Sequence, residues 1–325
     1  MGDAGPLAVD AETSIRNVAD AVQEPETKEV NVLVTGFGPF KSFPKNPSWL
    51  IASTLPPTLS LTFPADAYAS SPTVKTITIK LHVYPSEVPV SYHAVSQLIP
   101  TLLDSDNATS PSISYDHVVH IGMAGGRNYY SFETQAHRSG YKIRDIDGLD
   151  GYNCGERRWK SETFSKHGPA PEILGFGYDE RDVWGRWVGY VNGHNPNDSA
   201  EKKTLRVANE DANGNFSPVN SSSAVSGMGR GGLKGQEVDI RISHDAGHFL
   251  CDFIFFTSLA ERWRQKLENA PSDDTLDRQH TTNLPVIFLH VPPATDSAAI
   301  DIGRQSAEGL IKAIVESWEF GFRHS

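Results

Sequence analysis

The sequence contains little cysteine: only Cys154 and Cys251 occur among its 325 residues. Two cysteines in a chain without a secretory signal are most simply interpreted as free thiols in a reducing cytosol. A disulfide between them would require an oxidising compartment, and no other feature of the sequence indicates one.

Long apolar runs and an excess of positive charge are also missing. Lys and Arg number 29 against 40 Asp and Glu, which gives a formal net charge of −11. That charge argues against nucleic acid or an anionic membrane as a partner. No apolar run approaches the roughly 20 residues that span a bilayer, and the first residues lack the basic and apolar regions of a secretory signal. We therefore expect a cytoplasmic protein that needs neither kind of partner.

The acidity is concentrated at the start of the chain. Residues 1–29 are polar, acidic and poor in aromatic residues, so we expect a disordered tail followed by a single domain over residues 30–325. From about residue 154 to 236 the periodic pattern is lost, which indicates a long insertion. Within it, we expect the aromatic residues 184–190 to pack as a flap and residues 213–232 to be mobile.

Short apolar runs alternate with helical patterns through the rest of the chain. The predicted strands cover residues 31–35, 73–84, 117–121, 238–242 and 286–291, and the predicted helices cover 49–55, 88–103, 246–266 and 297–319. This alternation predicts a three-layer α/β/α sandwich around a mostly parallel mixed sheet. Active sites in such sheets gather where strands end.

Three residues near predicted strand ends could perform acyl transfer. Cys251 lies in AGHFLCD (residues 246–252), after a predicted strand and near the start of a helix with Asp245 as its expected N-cap. Free amides at a helix start favour the thiolate. His290 ends an apolar strand and could accept the thiol proton, and Glu133 could orient the imidazole. Each residue also has an ordinary structural interpretation: a core thiol, a satisfied core histidine and a solvated glutamate.

Four segments, in order, resemble one family of cysteine peptidases. They are TGFGPF (35–40) with NPSW (46–49), GMAGGR (122–127) with Glu133, DAGHFLCD (245–252), and FLHVPP (288–293). LHVY (81–84) and Ile99-Pro100 add a further likeness to animal members. Together the segments resemble the pyroglutamyl peptidase I family over roughly residues 30–150 and 236–320.

The resemblance implies a function and a role for each matching residue. The family removes amino-terminal pyroglutamate from small peptides and uses no metal or organic cofactor. By resemblance, Cys251 is the nucleophile, His290 the base and acid, and Glu133 the orienting carboxylate. The residues that the resemblance places around the lactam ring are Phe37, Phe40, Phe249, Leu250 and Met123, the last through its main chain. The acidic tail and the insertion make the chain longer than is usual in the family.

Three other interpretations remain open. His244, His248 and Cys251 have a spacing that would place them on one helix face, where they could bind zinc. The glycine-rich turns at 36–38 and 122–126 could cradle phosphate, as in a phosphorylase-like transferase. The chain could also bind pyroglutamyl peptides without turnover if the insertion blocks the site.

Overall fold

A seven-stranded sheet forms the centre of the molecule. The computed structural model describes residues 26–63, 75–104, 113–193, 237–269 and 284–321. The strands of this sheet are β1 (Glu26–Gly36), β2 (Thr58–Phe63), β3 (Lys75–Val83), β4 (His117–Met123), β5 (Tyr130–Glu133), β8 (Ile240–Ser243) and β9 (Val286–Val291). Their order is β2-β3-β1-β4-β9-β5-β8, and a separate two-stranded sheet pairs β6 (Gln135–His137) with β7 (Ile173–Gly175).

The main sheet is mostly parallel, as predicted. β3, β1, β4 and β9 run in one direction, whereas β2 pairs antiparallel with β3 and β5 pairs antiparallel with β9. β8 is parallel to β5. The central strands β4 and β9 are buried almost throughout. Their near-continuous apolar sequences are typical of strands covered on both faces.

Helices cover both faces of the sheet, which confirms the three-layer α/β/α sandwich. They are α1 (Pro47–Ala52), α2 (Tyr92–Leu103), a π-helix (Tyr152–Glu156) that continues into α3 (Arg157–Trp159), α4 (Glu180–Asn192), α5 (Leu250–Asn269) and α6 (Ser297–Phe320). One apolar core lies between the sheet and α1, α4 and α6. The second core lies between the opposite face and α2, α3 and α5.

Capping residues set the starts of several helices. Asn46 accepts a hydrogen bond from the Ser48 amide and precedes Pro47, the first residue of α1. Ser91 caps α2, so this helix begins at Tyr92 and not at residue 88, as the apolar spacing had predicted. Asp296 caps α6 through the Ala299 amide. Side-chain caps of this kind satisfy amides that have no partner within the helix.

One expectation about the domain limits needs correction. β1 begins at Glu26, inside the segment 1–29 that we expected to be disordered; the earlier residues lie outside the described part of the chain. The first part of the expected insertion is also structured, because the π-helix, α3, β7 and α4 fall between residues 152 and 192. Residues 213–232 lie outside the described residues.

The aromatic segment 184–190 is part of the core and not a flap. It lies within α4, which packs against α6. Trp187 is fully buried, and its indole N–H donates a hydrogen bond to the Ser306 carbonyl at 2.8 Å. The expectation failed because the glycines around the aromatic residues suggested a loop, whereas tertiary packing against α6 determines the helix.

The described residues contain two free cysteines, Cys154 and Cys251. Cys154 lies in the π-helix and packs against the second core. In the same part of the chain, none of the helices combines the length and the apolar composition needed to cross a membrane.

The core position of α4 predicts the stability of two variants. Trp187→Ala should lower the free energy of unfolding by about 3–5 kcal/mol, because it removes a buried indole and leaves a cavity. Arg181→Ala, at an exposed position of the same helix, should change it by about 0.5 kcal/mol or less. Denaturant unfolding measures both values. Equal small effects would show that α4 is not part of the folded core.

Candidate active site

Glu133 and His290 form the centre of the candidate site. They lie on the neighbouring antiparallel strands β5 and β9, where Ser131 is opposite His290 and Glu133 is opposite Phe288. Side chains two residues apart share a face of a strand, so Glu133 reaches diagonally to the imidazole. The Glu133 Oε1 and His290 Nδ1 atoms are 2.6 Å apart.

Burial defines the electrostatics of this pair. Glu133 is 0% exposed and His290 is 4% exposed. Burial acts to raise the pKa of the Glu133 carboxyl, but the hydrogen bond from His290 and the positive charge of Arg127 bring this pKa below its ordinary value. Burial lowers the pKa of His290, against the opposing effect of Glu133. The carboxylate is therefore ionised, and the resting imidazole is neutral at neutral pH.

Cys251 reaches the same site from α5, the helix that covers this face of the sheet. It is the second residue of α5. A Cβ atom added to Gly122 would lie 3.1 Å from the Cys251 Sγ atom and would collide with the Phe288 ring. Gly122 is the register partner of His290 on β4. The missing side chain at this glycine therefore leaves room for the thiol above the strand next to the imidazole.

The helix that carries the cysteine begins later than predicted. We expected it to start at residue 246 with Asp245 as its N-cap, but α5 begins at Leu250. Gly247 and His248 have φ angles of +82° and +29°, and these left-handed conformations cannot belong to a regular right-handed helix. Asp245 instead accepts a hydrogen bond from the Gly247 amide at 2.8 Å, which stabilises the turn before α5.

The effect of the helix-start amides, which favours the thiolate, is opposed by burial of the sulfur. Burial, followed by the negative charge of Glu133, raises the pKa of the Cys251 thiol to about 12. Arg127 and the local backbone act in the opposite direction with smaller effects. The helix start thus fails to ionise the thiol, because desolvation of the sulfur outweighs it. At rest the site holds a neutral thiol beside a neutral imidazole.

Arg127 is a site residue to which the sequence analysis assigned no role. Its Nη1 atom donates to Glu133 Oε1 at 2.8 Å and to Ser131 Oγ at 2.7 Å, and it lies 3.3 Å from His290 Nδ1. Its Nη2 atom donates to the Asp245 carbonyl at 3.3 Å. The guanidinium therefore supplies positive charge to the buried carboxylate and connects β5 to the turn before α5. The sequence signal that could have indicated this role is a single basic residue close to the strand that carries Glu133.

Several apolar residues expected around the lactam are close together. The rings of Phe40 and Phe249 are 5.2 Å apart between centroids, and Phe249 also contacts Tyr92 edge to face at 5.8 Å. Tyr92 was not anticipated, since it lies at the start of a helix remote in sequence. Phe40 and Phe249 retain partial exposure, so they can face a bound ring.

The other expected pocket residues have more varied environments. Phe37 and Leu250 are buried in the second core, and Met123 is half-buried at the end of β4. Of these, Leu250 is 1% exposed, so it can only support the pocket from behind. The structure thus places Phe37, Phe40, Phe249 and Leu250 on the side of the sheet that carries α2 and α5.

The zinc site that the sequence suggested for His244, His248 and Cys251 is not formed. Residues 244–249 are not helical, so His244, His248 and Cys251 do not share a helix face. The His244 Nδ1 atom is 2.7 Å from the Thr134 hydroxyl. His248 lies instead beside His137 and Asp252.

Three amides of the glycine-rich turns already have partners within the protein and are not free to hold phosphate. In the first turn, Phe37 N–H donates to Ser48 Oγ at 3.0 Å and Gly38 N–H donates to the Val88 carbonyl at 2.9 Å. In the second, Ala124 N–H donates to the Val291 carbonyl at 3.0 Å. Phosphate cradles need amides that point at the ligand.

Comparisons with known proteins show what the chain as a whole is similar to. No protein-family model matches the chain. Pyroglutamyl-peptidase 1 of Rattus norvegicus is 28% identical over 286 residues, which cover 88% of this chain and 88% of the rat protein. The human protein of the same name is 28% identical over 70% of this chain and 72% of its own length. Pyrrolidone carboxyl peptidase from Thermococcus litoralis superposes with a TM-score of 0.51 at 18% identity, covering 89% of this chain and 95% of that structure.

The curated relatives and the solved structure support the predicted resemblance of the chain to the pyroglutamyl peptidase I family. The identity of the curated relatives is modest but extends over most of the chain, and the solved structure has the same fold. The four segments that resemble the pyroglutamyl peptidase I family all border the Glu133–His290 pair or the apolar residues beside it.

The protonation state of Cys251 predicts the reaction of the protein with an alkylating agent. In a Cys154→Ser variant, Cys251 is the remaining cysteine. Because its pKa is raised, alkylation by iodoacetamide should be slow at neutral pH and accelerate about tenfold for each pH unit into the alkaline range. Mass spectrometry of quenched samples measures the rate. A rate that is fast and constant across neutral pH would instead indicate a thiolate–imidazolium pair at rest.

Proposed function

We propose that the protein is a cysteine exopeptidase that removes amino-terminal pyroglutamate from small peptides. The observation that carries this proposal is the buried Glu133–His290 hydrogen bond of 2.6 Å, with the Cys251 thiol over Gly122, the neighbour of His290 in the sheet. A thiol, an imidazole and an orienting carboxylate are the groups that nucleophilic acyl transfer requires. The pyroglutamyl-peptidase 1 relatives supply the substrate class.

In the first step, His290 accepts the proton of the Cys251 thiol. Its Nδ1 atom faces Glu133, so Nε2 is the nitrogen available for this transfer. The resulting thiolate attacks the pyroglutamyl carbonyl carbon, and the carbon–nitrogen bond of the peptide breaks as the imidazolium returns the proton to the leaving amine. The products are a thioester on Cys251 and a shortened peptide with a free amino terminus.

In the second step, water hydrolyses the thioester. His290 accepts a proton from the water, hydroxide adds to the carbonyl carbon, and the Cys251 sulfur leaves and is reprotonated. Pyroglutamate is released and the thiol is restored. Glu133 stabilises the imidazolium in both steps without itself accepting the proton, and Arg127 keeps Glu133 ionised in its buried position.

The apolar residues beside the thiol provide the selectivity in this proposal. A pyroglutamyl ring is a neutral lactam with two apolar faces, one N–H and one C=O, and the Phe40 and Phe249 rings can contact those faces. Main-chain groups near Met123 can hold the polar edge. An ordinary amino terminus would bring an unpaired ammonium into this apolar surrounding, and that desolvation disfavours its binding.

The alternatives from the sequence receive less support. A phosphorylase-like transferase needs free amides in its turns, and the amides described above are already bonded. A non-catalytic binder would not need a thiol, an imidazole and a carboxylate together.

Turnover of matched fluorogenic amides tests the proposal. The reduced protein should hydrolyse the coumarin amide of pyroglutamate and leave the coumarin amide of proline intact, because proline has the same ring size but a charged amine. Cys251→Ala should lower kcat/KM by several orders of magnitude, whereas Cys154→Ala should leave it within about twofold.

Two results would contradict the proposal. Turnover that requires phosphate and survives in Cys251→Ala would indicate transfer chemistry that does not use the thiol. Binding of the pyroglutamyl amide without turnover, in folded and fully reduced protein, would indicate a binder.

A further inference from the structure

A second group of titratable side chains lies around the turn that precedes α5. His137 ends β6, His248 lies on the turn before α5, and Asp252 lies in the first turn of α5. One ligand atom from each lies within 4.8 Å of the others, and this is the one such group among the residues that the structure describes. None of the three takes part in the hydrolysis proposed above.

Two distances in this group are compatible with metal coordination, and the shorter one is also a hydrogen bond between His137 and Asp252. The Asp252 Oδ2 atom is 3.2 Å from His137 Nδ1 and 3.5 Å from His248 Nδ1. Charge-assisted hydrogen bonds between such groups are usually about 2.7–2.9 Å long. Zinc bonds of about 2.0–2.1 Å in a tetrahedron separate neighbouring ligand atoms by about 3.4 Å. The two measured distances lie on either side of that value.

The surroundings of Asp252 orient its carboxylate toward the two histidines, and Tyr141 also hydrogen-bonds to this carboxylate. The carboxylate is 0% exposed. Its Oδ1 atom accepts a hydrogen bond from the His137 amide at 3.1 Å, and this contact fixes its orientation. The Oδ2 atom faces both imidazoles. Outer contacts of this kind orient the ligands of metal sites in proteins.

The two histidines complete a site that solvent can reach. Their ring centroids are 4.6 Å apart, and the His248 side chain is 48% exposed, which gives an ion a path from solvent. Gly140 lies against His248: a Cβ there would be 3.0 Å from His248 Nδ1. A glycine at this position therefore keeps the Nδ1 atom accessible.

We propose that His137 Nδ1, His248 Nδ1 and Asp252 Oδ2 bind a divalent transition-metal ion, with Zn²⁺ as the best match and water as the fourth ligand. Two imidazoles and one carboxylate suit zinc, whereas calcium and magnesium prefer more oxygen ligands. The ion would join β6 to the turn before α5. It would thereby stabilise the segment that positions Cys251, without contacting the reacting atoms.

Zinc binding to the full-length chain tests this site. Both cysteines are first replaced by serine, so that no thiol competes for the metal. Competition with a chromophoric chelator should then show one Zn²⁺ bound per chain. His248→Ala should weaken binding about tenfold or more, because it removes one of three ligands at an exposed position. His93→Ala, which removes an exposed histidine on α2, should leave the affinity unchanged.

Cobalt and thermal unfolding give two further readouts on the same variants. Co²⁺ bound to nitrogen and oxygen ligands in a tetrahedral site should produce visible absorption, and this absorption should disappear in His248→Ala and in Asp252→Asn. Zn²⁺ should raise the Tm of the cysteine-free chain but not that of His248→Ala.

Two outcomes would overturn the proposal: no binding of either ion, or binding that is equally strong in His248→Ala. These measurements use a chain without its nucleophile and do not depend on turnover. Failure of the proposed peptidase activity and failure of the proposed metal site are therefore distinguishable.

Discussion

The hydrogen bond between Glu133 and His290 is the constraint on which the rest of the site depends. A carboxylate without any exposed surface is costly unless it is paired, and here it has both an imidazole and the Arg127 guanidinium as partners. β5 runs against β9 in an otherwise mostly parallel part of the sheet. This reversal lets Glu133 reach His290 diagonally across neighbouring strands, so that no flexible loop is needed to position either group.

A glycine on the sheet and the turn before α5 position the thiol. Gly122 on β4 has no side chain, and the Cys251 sulfur and the Phe288 ring occupy the space above it. The left-handed turn at Gly247 and His248 delays the start of α5 until Leu250, which sets where Cys251 lies along the sheet. Burial keeps this thiol protonated at rest. Its activation therefore depends on His290, and the state of His290 depends in turn on Glu133.

Much of the fold follows from local sequence patterns. The strand Val286–Val291 was predicted with its observed limits, and α6 was predicted to within a residue at its end, because an apolar run and a capped amphipathic pattern are strong local signals. The reversed direction of β5 and β8 depends on tertiary pairing and leaves no comparable signal in the sequence. The burial of Trp187 against α6 was missed for the same reason. β6 and β7 pair over three residues each, too few for a periodic pattern.

The candidate site was predictable in part. The residue types of Glu133, Cys251 and His290 and their resemblance to a known family indicated the group before the structure was considered. The ionisation of Cys251 was not predictable, because helix-start amides are visible in a sequence whereas desolvation by distant residues is not. Arg127 and Tyr92 were missed because their contacts join segments that are far apart in the chain.

Proton NMR of the chain labelled with ¹⁵N-histidine tests the central claim most directly. A short hydrogen bond from His290 Nδ1–H to the Glu133 carboxylate should give a ring N–H proton that is shifted strongly downfield and exchanges slowly, because the pair is buried. The signal should be absent in His290→Ala and shifted upfield in Glu133→Gln, where a neutral amide replaces the carboxylate. A wild-type spectrum without this proton, or a signal that is unaffected by Glu133→Gln, would contradict the account.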